Sequence, residues 1–351
     1  MLLKFDNSIV SHISCSIPSK KMDLIDYADE IGISKEEASK IINTTGISQI
    51  CISDDNQTSS DLCIDAFNTI LEDHPEIPNE IEAVIFVSQT PDFIAPQTSN
   101  IIQHKLEMSN DVLTFDLRMG CSGYVYGLMQ AKLLINSGLN KVLLLAGDTS
   151  TKFINKKDKT VSMVFGDAGS ATVIEKKNNS KSFFCLGSDG SNFDKLIIKD
   201  GAFRNMIDLD KSFEEIQISE GIIRSNSDLY MDGMAIMNFA IERVPKSIDD
   251  LINYSGISKN SINKVILHQA NAFMIKYLAK KIKIDQIKVP FEAAYYGNTG
   301  PSSIPLALCN LNKKGELKGD NLDNYILSGF GIGLSWATSL LSLKHTKFYN
   351  Y

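Results

Sequence analysis

The stretch DLRMGCSG at residues 116–123 joins an apolar run to the apolar helix predicted for Gly123–Asn136. Glycines on both sides of Cys121 permit a tight turn at this junction. A helix that is apolar nearly all round belongs in the middle of a protein. A cysteine at a helix N-terminus meets the positive end of the helix dipole, which stabilises a thiolate. Cys121 is therefore either a small buried residue at a crowded junction or a nucleophile.

The composition is that of an ordinary globular protein. Apolar residues make up 43% of the 351 residues and charged residues 22%, and the net charge is −7. This balance excludes a disordered, collagen-like or low-complexity chain, and the length predicts two domains or one large two-part core. The acidic surplus argues against a general nucleic-acid-binding protein.

The sequence carries no signal for a membrane or for an oxidising compartment. No run approaches the roughly 18 apolar residues of a spanning helix, and the N-terminus lacks the basic and apolar regions of a signal peptide. The six cysteines form no CxxC pair, which argues against a disulfide framework and against a zinc site. We expect a reduced, cytoplasmic protein that binds no metal, no nucleic acid and no membrane.

Strands and helices alternate along the chain. Uninterrupted apolar runs, typical of strands covered on both faces, predict strands at Ala83–Ser88, Val112–Leu117, Val142–Gly147, Ala171–Glu175, Val265–His268 and Tyr325–Ser328. Helical patterns lie at Asp61–Glu72, Asn100–Leu106, Gly123–Asn136, Met234–Asn253, Phe273–Ile282 and Ser302–Leu311. This alternation predicts an α/β architecture with mixed or parallel sheets.

A weak internal repeat indicates two similar halves. The run EAVIFVSQ (82–89) can be laid over NKVILHQ (263–269). Each run is followed by a glycine-flanked turn that opens a helix, at Cys121 and at Asn298, and then by a strand that ends in small residues. We predict an N-terminal half at 1–175 and a C-terminal half at 176–351, with 176–230 as an insertion or cover.

Two polar residues of the second half stand where chemistry is expected. His268 ends a predicted strand, the place where α/β proteins put active sites, although such a histidine is more often structural. Asn298 lies in YYGNTGP (295–301) and can also be a helix cap. In the two-half arrangement Cys121 and Asn298 occupy equivalent turns, so the fold would bring all three side chains together. A cysteine beside two hydrogen-bond donors is a constellation for covalent acyl transfer.

The chain resembles the β-ketoacyl-acyl-carrier-protein synthase III family of the thiolase superfamily in segments that span nearly its whole length. These are DLRMGCSGYVYGL (116–128), VFGDAGSATV (164–173), ILHQAN (266–271), YYGNTGPSSIPLAL (295–308) and LSGFGIGLSWA (327–337). The resemblance implies an α/β, thiolase-like five-layered αβαβα fold built from two similar halves, and a homodimer.

The resemblance also implies a reaction. Cys121 would be acylated from an acyl thioester, and His268 and Asn298 would promote decarboxylative condensation with malonyl-acyl-carrier protein, without a cofactor. Backbone N–H groups of Cys121 and Ile332 would form an oxyanion hole. The substrate-binding residues so implied are Asn271, Ala95, Phe330 and Gly331. Acyl carrier protein, which is acidic, would dock on a basic face of the helix after HQAN, formed by Lys276, Lys280 and Lys283.

The chain departs from the housekeeping members of that family at five positions. Lys40, Thr44 and Lys159 stand where a tryptophan and two arginines hold the coenzyme A nucleotide. Ala95 replaces a phenylalanine that closes the acyl pocket across the dimer, and Ile332 replaces a glycine. These differences indicate an acyl donor other than acetyl-CoA, longer or carried on a protein.

Other functions remain open from the sequence. A thiolase-fold acyltransferase could move the acyl group to an oxygen or a nitrogen without forming a carbon–carbon bond. A non-catalytic partner subunit would not need Cys121. Hydroxymethylglutaryl synthase activity is not expected, because the sequence shows no matching acidic base near the cysteine.

Overall fold

The computed structural model describes residues 1–317 and 322–349. Its strands are β1 Leu2–Phe5, β2 Ser8–Ser16, β3 Lys21–Asp23, β4 Gln49–Cys51, β5 Ala83–Val87, β6 Leu113–Leu117, β7 Lys141–Asp148, β8 Ala168–Lys176, β9 Ser182–Ser188, β10 Leu196–Ile197, β11 Ile216–Ser219, β12 Ile222–Arg224, β13 Tyr230–Met231, β14 Lys264–Leu267, β15 Tyr325–Gly331, β16 Ser335–Leu341 and β17 Lys347–Phe348. Its α-helices are α1 Leu24–Ile31, α2 Lys35–Thr45, α3 Ser59–Leu71, α4 Thr98–Lys105, α5 Gly123–Asn136, α6 Lys159–Ser162, α7 Gly233–Ser255, α8 Ala272–Ile282 and α9 Ser303–Lys313.

Two large sheets form the frame, and they share one strand pattern. The first has the order β17-β2-β8-β7-β5-β6 and the second the order β1-β9-β16-β15-β14. In the first sheet β5 pairs parallel with β7, which pairs antiparallel with β8, which pairs antiparallel with β2. In the second sheet β14, β15, β16 and β9 repeat the same sequence of pairings. The predicted α/β fold of two similar halves is thereby confirmed.

The helices complete five layers. Helices α5 and α9 lie between the sheets and contact both of them. Helices α3 and α4 cover the outer face of the first sheet, while α7, with α8 packed against it, covers the second. Tyr124, Leu128 and Ala131 of α5 are fully buried, as the apolar pattern of this helix predicts.

Three features of the fold differ from the expectations. Leu113 on β6 is 47% exposed, because β6 is the edge of its sheet in this chain and is not covered on both faces. Strand β9 lies inside the second sheet, so the first part of the segment 176–230 is core rather than cover. Strands β1 and β17 each pair with the sheet of the opposite half, which ties both described ends of the chain across the molecule. The division of the chain at residue 175 stays a prediction.

A lysine lies inside the central layer. Lys132 on α5 is 2% exposed, and its Nζ donates to the backbone oxygen of Ser8 at 2.9 Å and to the Ser8 hydroxyl at 3.3 Å. No carboxylate among the described residues pairs with it. Burial lowers the pKa of Lys132 to about 7, since the ammonium is the form that desolvation penalises.

This buried lysine gives the stability of the protein a pH dependence that Lys132→Met should remove. An unfolded lysine has a pKa of about 10.4, so between pH 7 and 10 the unfolded chain binds more protons than the folded one. The free energy of unfolding of the wild type should therefore rise with pH in this range, by at most about 1.4 kcal/mol per unit. Urea unfolding from about pH 7 to 9 measures the slope, with the exposed Lys177→Met as control. Equal slopes in the wild type and in Lys132→Met would contradict the prediction.

Candidate active site

Cys121 lies in the turn that connects β6 to α5, where the two halves meet. Its side chain packs against Gly331 at the end of β15. A Cβ atom on Gly331 would lie 2.9 Å from Sγ of Cys121, so this position accepts only glycine without a shift. A second such contact joins Gly329 to the backbone of Cys121. The nucleophile expected from one half thus lies directly against a strand of the other.

The environment of Cys121 favours the thiol form. Burial raises the pKa of Cys121 to about 12, and the nearby carboxyl of Asp148 adds to this rise. The nearby backbone N–H groups of Ile332 and of Cys121 itself oppose this rise. The start of α5 therefore does not by itself leave a thiolate at neutral pH, because desolvation outweighs the helix terminus here.

His268 follows β14 and is held on one side of its ring. Its backbone N–H donates to the carbonyl of Ser328 at 2.8 Å, and Nδ1 lies 2.7 Å from the hydroxyl of Ser303. Burial lowers the pKa of His268 to about 3, and a hydrogen bond with the Gly300 backbone only partly opposes this shift. The imidazole is therefore neutral near pH 7. Ser303 thus holds the ring at Nδ1.

Asn298 is fixed through its backbone and its side chain. Its N–H donates to the carbonyl of Val164 at 2.8 Å, and its carbonyl accepts from Gly166 at 3.0 Å. Gly166 is required there, since a Cβ atom would lie 2.0 Å from the carbonyl oxygen of Tyr296. The Oδ1 atom of Asn298 accepts from the N–H of Gly300 at 3.1 Å. This bond sets the amide so that the Nδ2 donor is available to a ligand.

One cavity of about 80 Å³ brings these side chains together. Its lining includes Cys121, His268, Asn298, Asn271, Phe330 and Gly331. The ring of Phe330 lies edge-on to that of His268, with centroids 5.7 Å apart. Six of the residues singled out from the sequence thus border a single space. This space brings the thiol of Cys121 beside two side chains that can donate hydrogen bonds to a carbonyl oxygen.

Comparison with known proteins identifies the family. Models of 3-oxoacyl-[acyl-carrier-protein] synthase III and of its C-terminal part match residues 115–190 and 252–343. A β-ketoacyl-[acyl-carrier-protein] synthase III of Clostridium tetani is 36% identical over 90% of this chain and 95% of its own. The chain belongs to the 3-oxoacyl-[acyl-carrier-protein] synthase III family.

Comparison with solved structures supports the same family. A 3-oxoacyl-(acyl-carrier-protein) synthase III superposes with a TM-score of 0.90 and 33% identity, covering 96% of this chain and 99% of the other. A 3-oxoacyl-(acyl-carrier protein) synthase of Burkholderia xenovorans gives 0.88 and 30%, covering 99% of each chain. The thiolase-like fold expected from the motifs is therefore shown.

Two substrate-binding residues implied by the resemblance need separate mention: Asn271 also caps a helix, and Ala95 lies away from the cavity. Asn271 lines the cavity, but its side chain also caps α8 by accepting from the N–H of Met274 at 2.8 Å. Ala95 lies in an exposed loop outside the cavity of its own chain. The family resemblance places this position at the pocket of a dimer partner, so its role stays a prediction.

The basic helix face is smaller than the sequence suggests. Lys276 and Lys280 are exposed on α8, but the helix ends at Ile282 and Lys283 follows with a φ of 53°. Lys283 is therefore not on the same helical face as the other two. Phe273, at the start of α8, is 55% exposed, whereas the neighbouring Met274 and Ile275 are buried.

Two of the three positions at which the resemblance implies contact with the coenzyme A nucleotide carry lysines, and both lysines pair with carboxylates. Lys159 on α6 lies 2.5 Å from the carboxylate of Glu37, and the exposed Lys40 lies 2.9 Å from Glu36 on the same helix. Thr44 is exposed and donates to the backbone oxygen of Lys40 at 2.9 Å.

Sequence reasoning missed two residues beside the site. Ser303, which touches His268, belongs to the quoted motif at 295–308 but carries no distinguishing pattern. Asp148 ends β7 and lies near Cys121, fully buried. An acidic residue at the carboxyl end of a buried strand is a signal that could have found it.

The pKa of Cys121 predicts how the unliganded site reacts with an alkylating reagent. Because the thiolate is the reactive form and the pKa is raised to about 12, alkylation of Cys121 by iodoacetamide should rise about tenfold per pH unit between pH 7 and 9, without a plateau. Peptide mass spectrometry resolves Cys121 from the other cysteines, and Cys51, also buried with a raised pKa, is an internal control. A plateau for Cys121 near pH 7 would show instead that the helix terminus holds a thiolate.

Proposed function

We propose that this synthase III-type acyltransferase works through Cys121, His268 and Asn298. It would acylate Cys121 from an acyl thioester and then condense the acyl group with malonyl-acyl-carrier protein. The observation that carries the proposal is the single cavity that all three residues line. The backbone N–H groups of Ile332 and of Cys121 itself, which oppose the rise in the pKa of Cys121, support it. Nothing in the described site favours transfer to an oxygen or nitrogen, or a non-catalytic subunit.

In the first half-reaction the sulfur of Cys121 attacks the thioester carbonyl. The donor's carbon–sulfur bond breaks, a new one forms to Cys121, and the donor thiol leaves with the proton that Cys121 loses. The N–H groups of Cys121 and Ile332 would stabilise the oxyanion that develops. Such donors act strongly in a buried site, because their dipoles are already oriented and water is excluded.

In the second half-reaction the malonyl thioester loses carbon dioxide. The electron pair of the broken carbon–carbon bond passes to the thioester oxygen as an enolate, which Nε2 of His268 and Nδ2 of Asn298 would stabilise. A neutral imidazole suits this role when Nε2 carries the proton. The Ser303 hydroxyl accepts from the N–H of Gln269 at 3.4 Å and can donate its own proton to Nδ1, which favours that tautomer. The enolate carbon then attacks the acyl group and releases Cys121.

The proposed chemistry uses side chains and backbone alone, so no cofactor enters it. None of the helices in residues 1–317 and 322–349 is long and apolar enough to cross a membrane. The same ranges hold no group of three histidine, cysteine, aspartate or glutamate residues that could bind a metal ion.

We also propose a homodimer through the open edge of the first sheet. In the described ranges strand β6 pairs with β5 on one side only, and such sheet edges are normally covered. Exposed Phe93 and Ile94 lie in the loop that also carries Ala95. Gln97 ties that loop to β6 through a bond to the Thr114 carbonyl at 3.0 Å. A partner at this edge would meet Ala95, whose small side chain would leave room for donors longer than acetyl.

Separating the half-reactions tests the assignment. Cys121→Ser should abolish acyl loading, whereas His268→Ala and Asn298→Ala should retain part of the loading and lose decarboxylation by about 100- to 1000-fold. Intact-protein mass spectrometry measures loading, and release of carbon dioxide from malonyl-carrier protein measures decarboxylation. Equal losses in both half-reactions for both alanine variants, or wild-type turnover by Cys121→Ser, would overturn it.

Carrier-protein docking predicts a second, independent effect. Lys276 and Lys280 lie exposed on α8, which starts beside Asn271 at the cavity. Reversing both to Glu should raise KM for malonyl-carrier protein while leaving the loading of Cys121 from small thioesters nearly unchanged. Added salt should weaken the wild-type reaction, because exposed charges are screened beyond about 10 Å at 0.1 M.

The matched control for this double reversal is Lys177→Glu with Lys181→Glu. Both lysines are exposed in the turn after β8, at the opposite end of the strand from the site. If the control raises KM as much as the α8 variant, or if neither does, the docking surface is not on α8.

A further inference from the structure

A second, smaller cavity lies beside Cys121 and is lined by both apolar and polar side chains. It encloses about 20 Å³ and is lined by Cys121, Ile332 and Gly300 together with the apolar side chains of Phe153, Phe165, Leu196 and Leu229. The remaining lining residues are polar: Gln89, Asp148 and Ser150. An acyl group on the sulfur of Cys121 has this space as a place to extend.

Only one of the two carboxyl oxygens of Asp148 accepts hydrogen bonds from the described residues. Its Oδ1 atom accepts from the N–H of Gln89 at 2.7 Å and from the hydroxyls of Ser88 at 2.9 Å and Thr90 at 3.4 Å. Its Oδ2 atom receives no hydrogen bond from any residue of the described ranges. That oxygen lies 2.8 Å from where a Cβ atom on Gly300 would be, at the cavity wall. Asp148 is only 1% exposed.

The side chains of Ser150 and Gln89 also have hydrogen-bonding groups that make no hydrogen bond to another described residue. Ser150 is 3% exposed, and within the described part of the chain its hydroxyl makes no hydrogen bond. The side-chain amide of Gln89 also has no hydrogen-bond partner there, and it packs against Gly120, directly before the nucleophile. Buried polar groups in folded proteins nearly always find a partner, so the two buried groups, Oδ2 of Asp148 and the hydroxyl of Ser150, point to a ligand. Gln89 is only partly buried, and its side chain lies beside them at the cavity wall.

We infer that the acyl group carried by Cys121 is short and bears a hydroxyl group close to its thioester carbonyl, which Asp148, Ser150 and Gln89 bind. This inference rests on the proposed function of Cys121. An unsubstituted alkyl group would displace water from these side chains and leave them unpaired, which disfavours its binding. A site built to bind a substrate hydroxyl discriminates strongly against the analogue that lacks it.

A hydroxyl fits this wall better than a charged substituent. It can donate to the free Oδ2 of Asp148 and accept from the amide of Gln89 or the hydroxyl of Ser150. An ammonium group would lose its hydration in a cavity with a largely apolar wall, which costs more than the same loss for a neutral hydroxyl. Burial also raises the pKa of Asp148 to about 7, so the carboxyl is only partly ionised near neutral pH. The cavity, about 20 Å³, holds about one water-sized group, so it takes the hydroxyl itself while the rest of a short acyl chain lies beside Cys121.

A competition experiment tests the inference. The wild-type protein is incubated with equal amounts of butyryl-CoA and either 2- or 3-hydroxybutyryl-CoA, and the mass increments on Cys121, which differ by one oxygen, are followed by intact-protein mass spectrometry. In loading, the donor's thioester bond breaks and the same acyl group forms a thioester with Cys121. We expect one hydroxyacyl donor to load with a kcat/KM at least about tenfold above that of butyryl-CoA.

Two variants locate the cause of the preference. Ser150→Ala and Gln89→Leu remove polar groups from the wall at similar size, so each should shift the preference several-fold toward butyryl-CoA. Ser162→Ala is the matched control, because Ser162 is also buried with an unpartnered hydroxyl but does not line this cavity. It should leave the preference unchanged.

The outcomes separate this inference from the proposed function. Loading of butyryl-CoA as fast as, or faster than, both hydroxyacyl donors, followed by normal condensation, would overturn the inference and leave the function intact. Preference for a donor with an amino group would also overturn it. No loading of Cys121 by any thioester would overturn both. A hydroxyacyl preference that survives in Ser150→Ala and in Gln89→Leu would refute the assignment to these side chains.

Discussion

The contact between β15 and the turn before α5 is the constraint on which the site depends. A Cβ atom on Gly329 would lie 2.6 Å from the carbonyl oxygen of Cys121, and one on Gly331 would lie 2.9 Å from its sulfur. A side chain at either position would push the two halves apart at this point. Because β15 belongs to the second sheet and α5 follows the first, this approach places Ile332 and Cys121 at one cavity. The oxyanion hole that we propose for their N–H groups would therefore be formed by both halves together and not by either half alone.

Burial in that interface sets the protonation of the site. It raises the pKa of Cys121 to about 12 and that of Asp148 to about 7, and it lowers the pKa of His268 to about 3. Near pH 7 the Cys121 thiol and the His268 imidazole are therefore neutral, and the Asp148 carboxyl is only partly ionised. A neutral surrounding suits thioesters, which are uncharged at the reacting carbonyl. Charge then develops only during reaction, where preoriented donors stabilise it most effectively.

The sequence predicts the frame of this protein better than its details. The uninterrupted apolar pattern of α5 predicts both its ends and its central position, because such a helix has no face to present to water. The repeat places Cys121 and Asn298 in equivalent turns, and the described sheets have matching pairings. Apolar runs do not distinguish an edge strand from a central one, so β6 is misjudged. Contacts between residues distant in sequence, such as Ser303 with His268 or Asp148 with Cys121, depend on packing that no local pattern records.

The departures from the family at the nucleotide-binding positions bear on where donor selectivity resides. Lys40 and Lys159 already pair with carboxylates of α2, so a nucleotide would have to compete with Glu36 and Glu37 for them. A donor nucleotide that binds weakly there contributes little to the choice between one acyl donor and another. On the proposed function, discrimination between donors would then come from the acyl end, which is the part that every donor places beside Cys121. Unpaired polar groups in that wall give such discrimination a physical basis, because a wrong acyl group is penalised by what it leaves unsatisfied rather than by what it fails to touch.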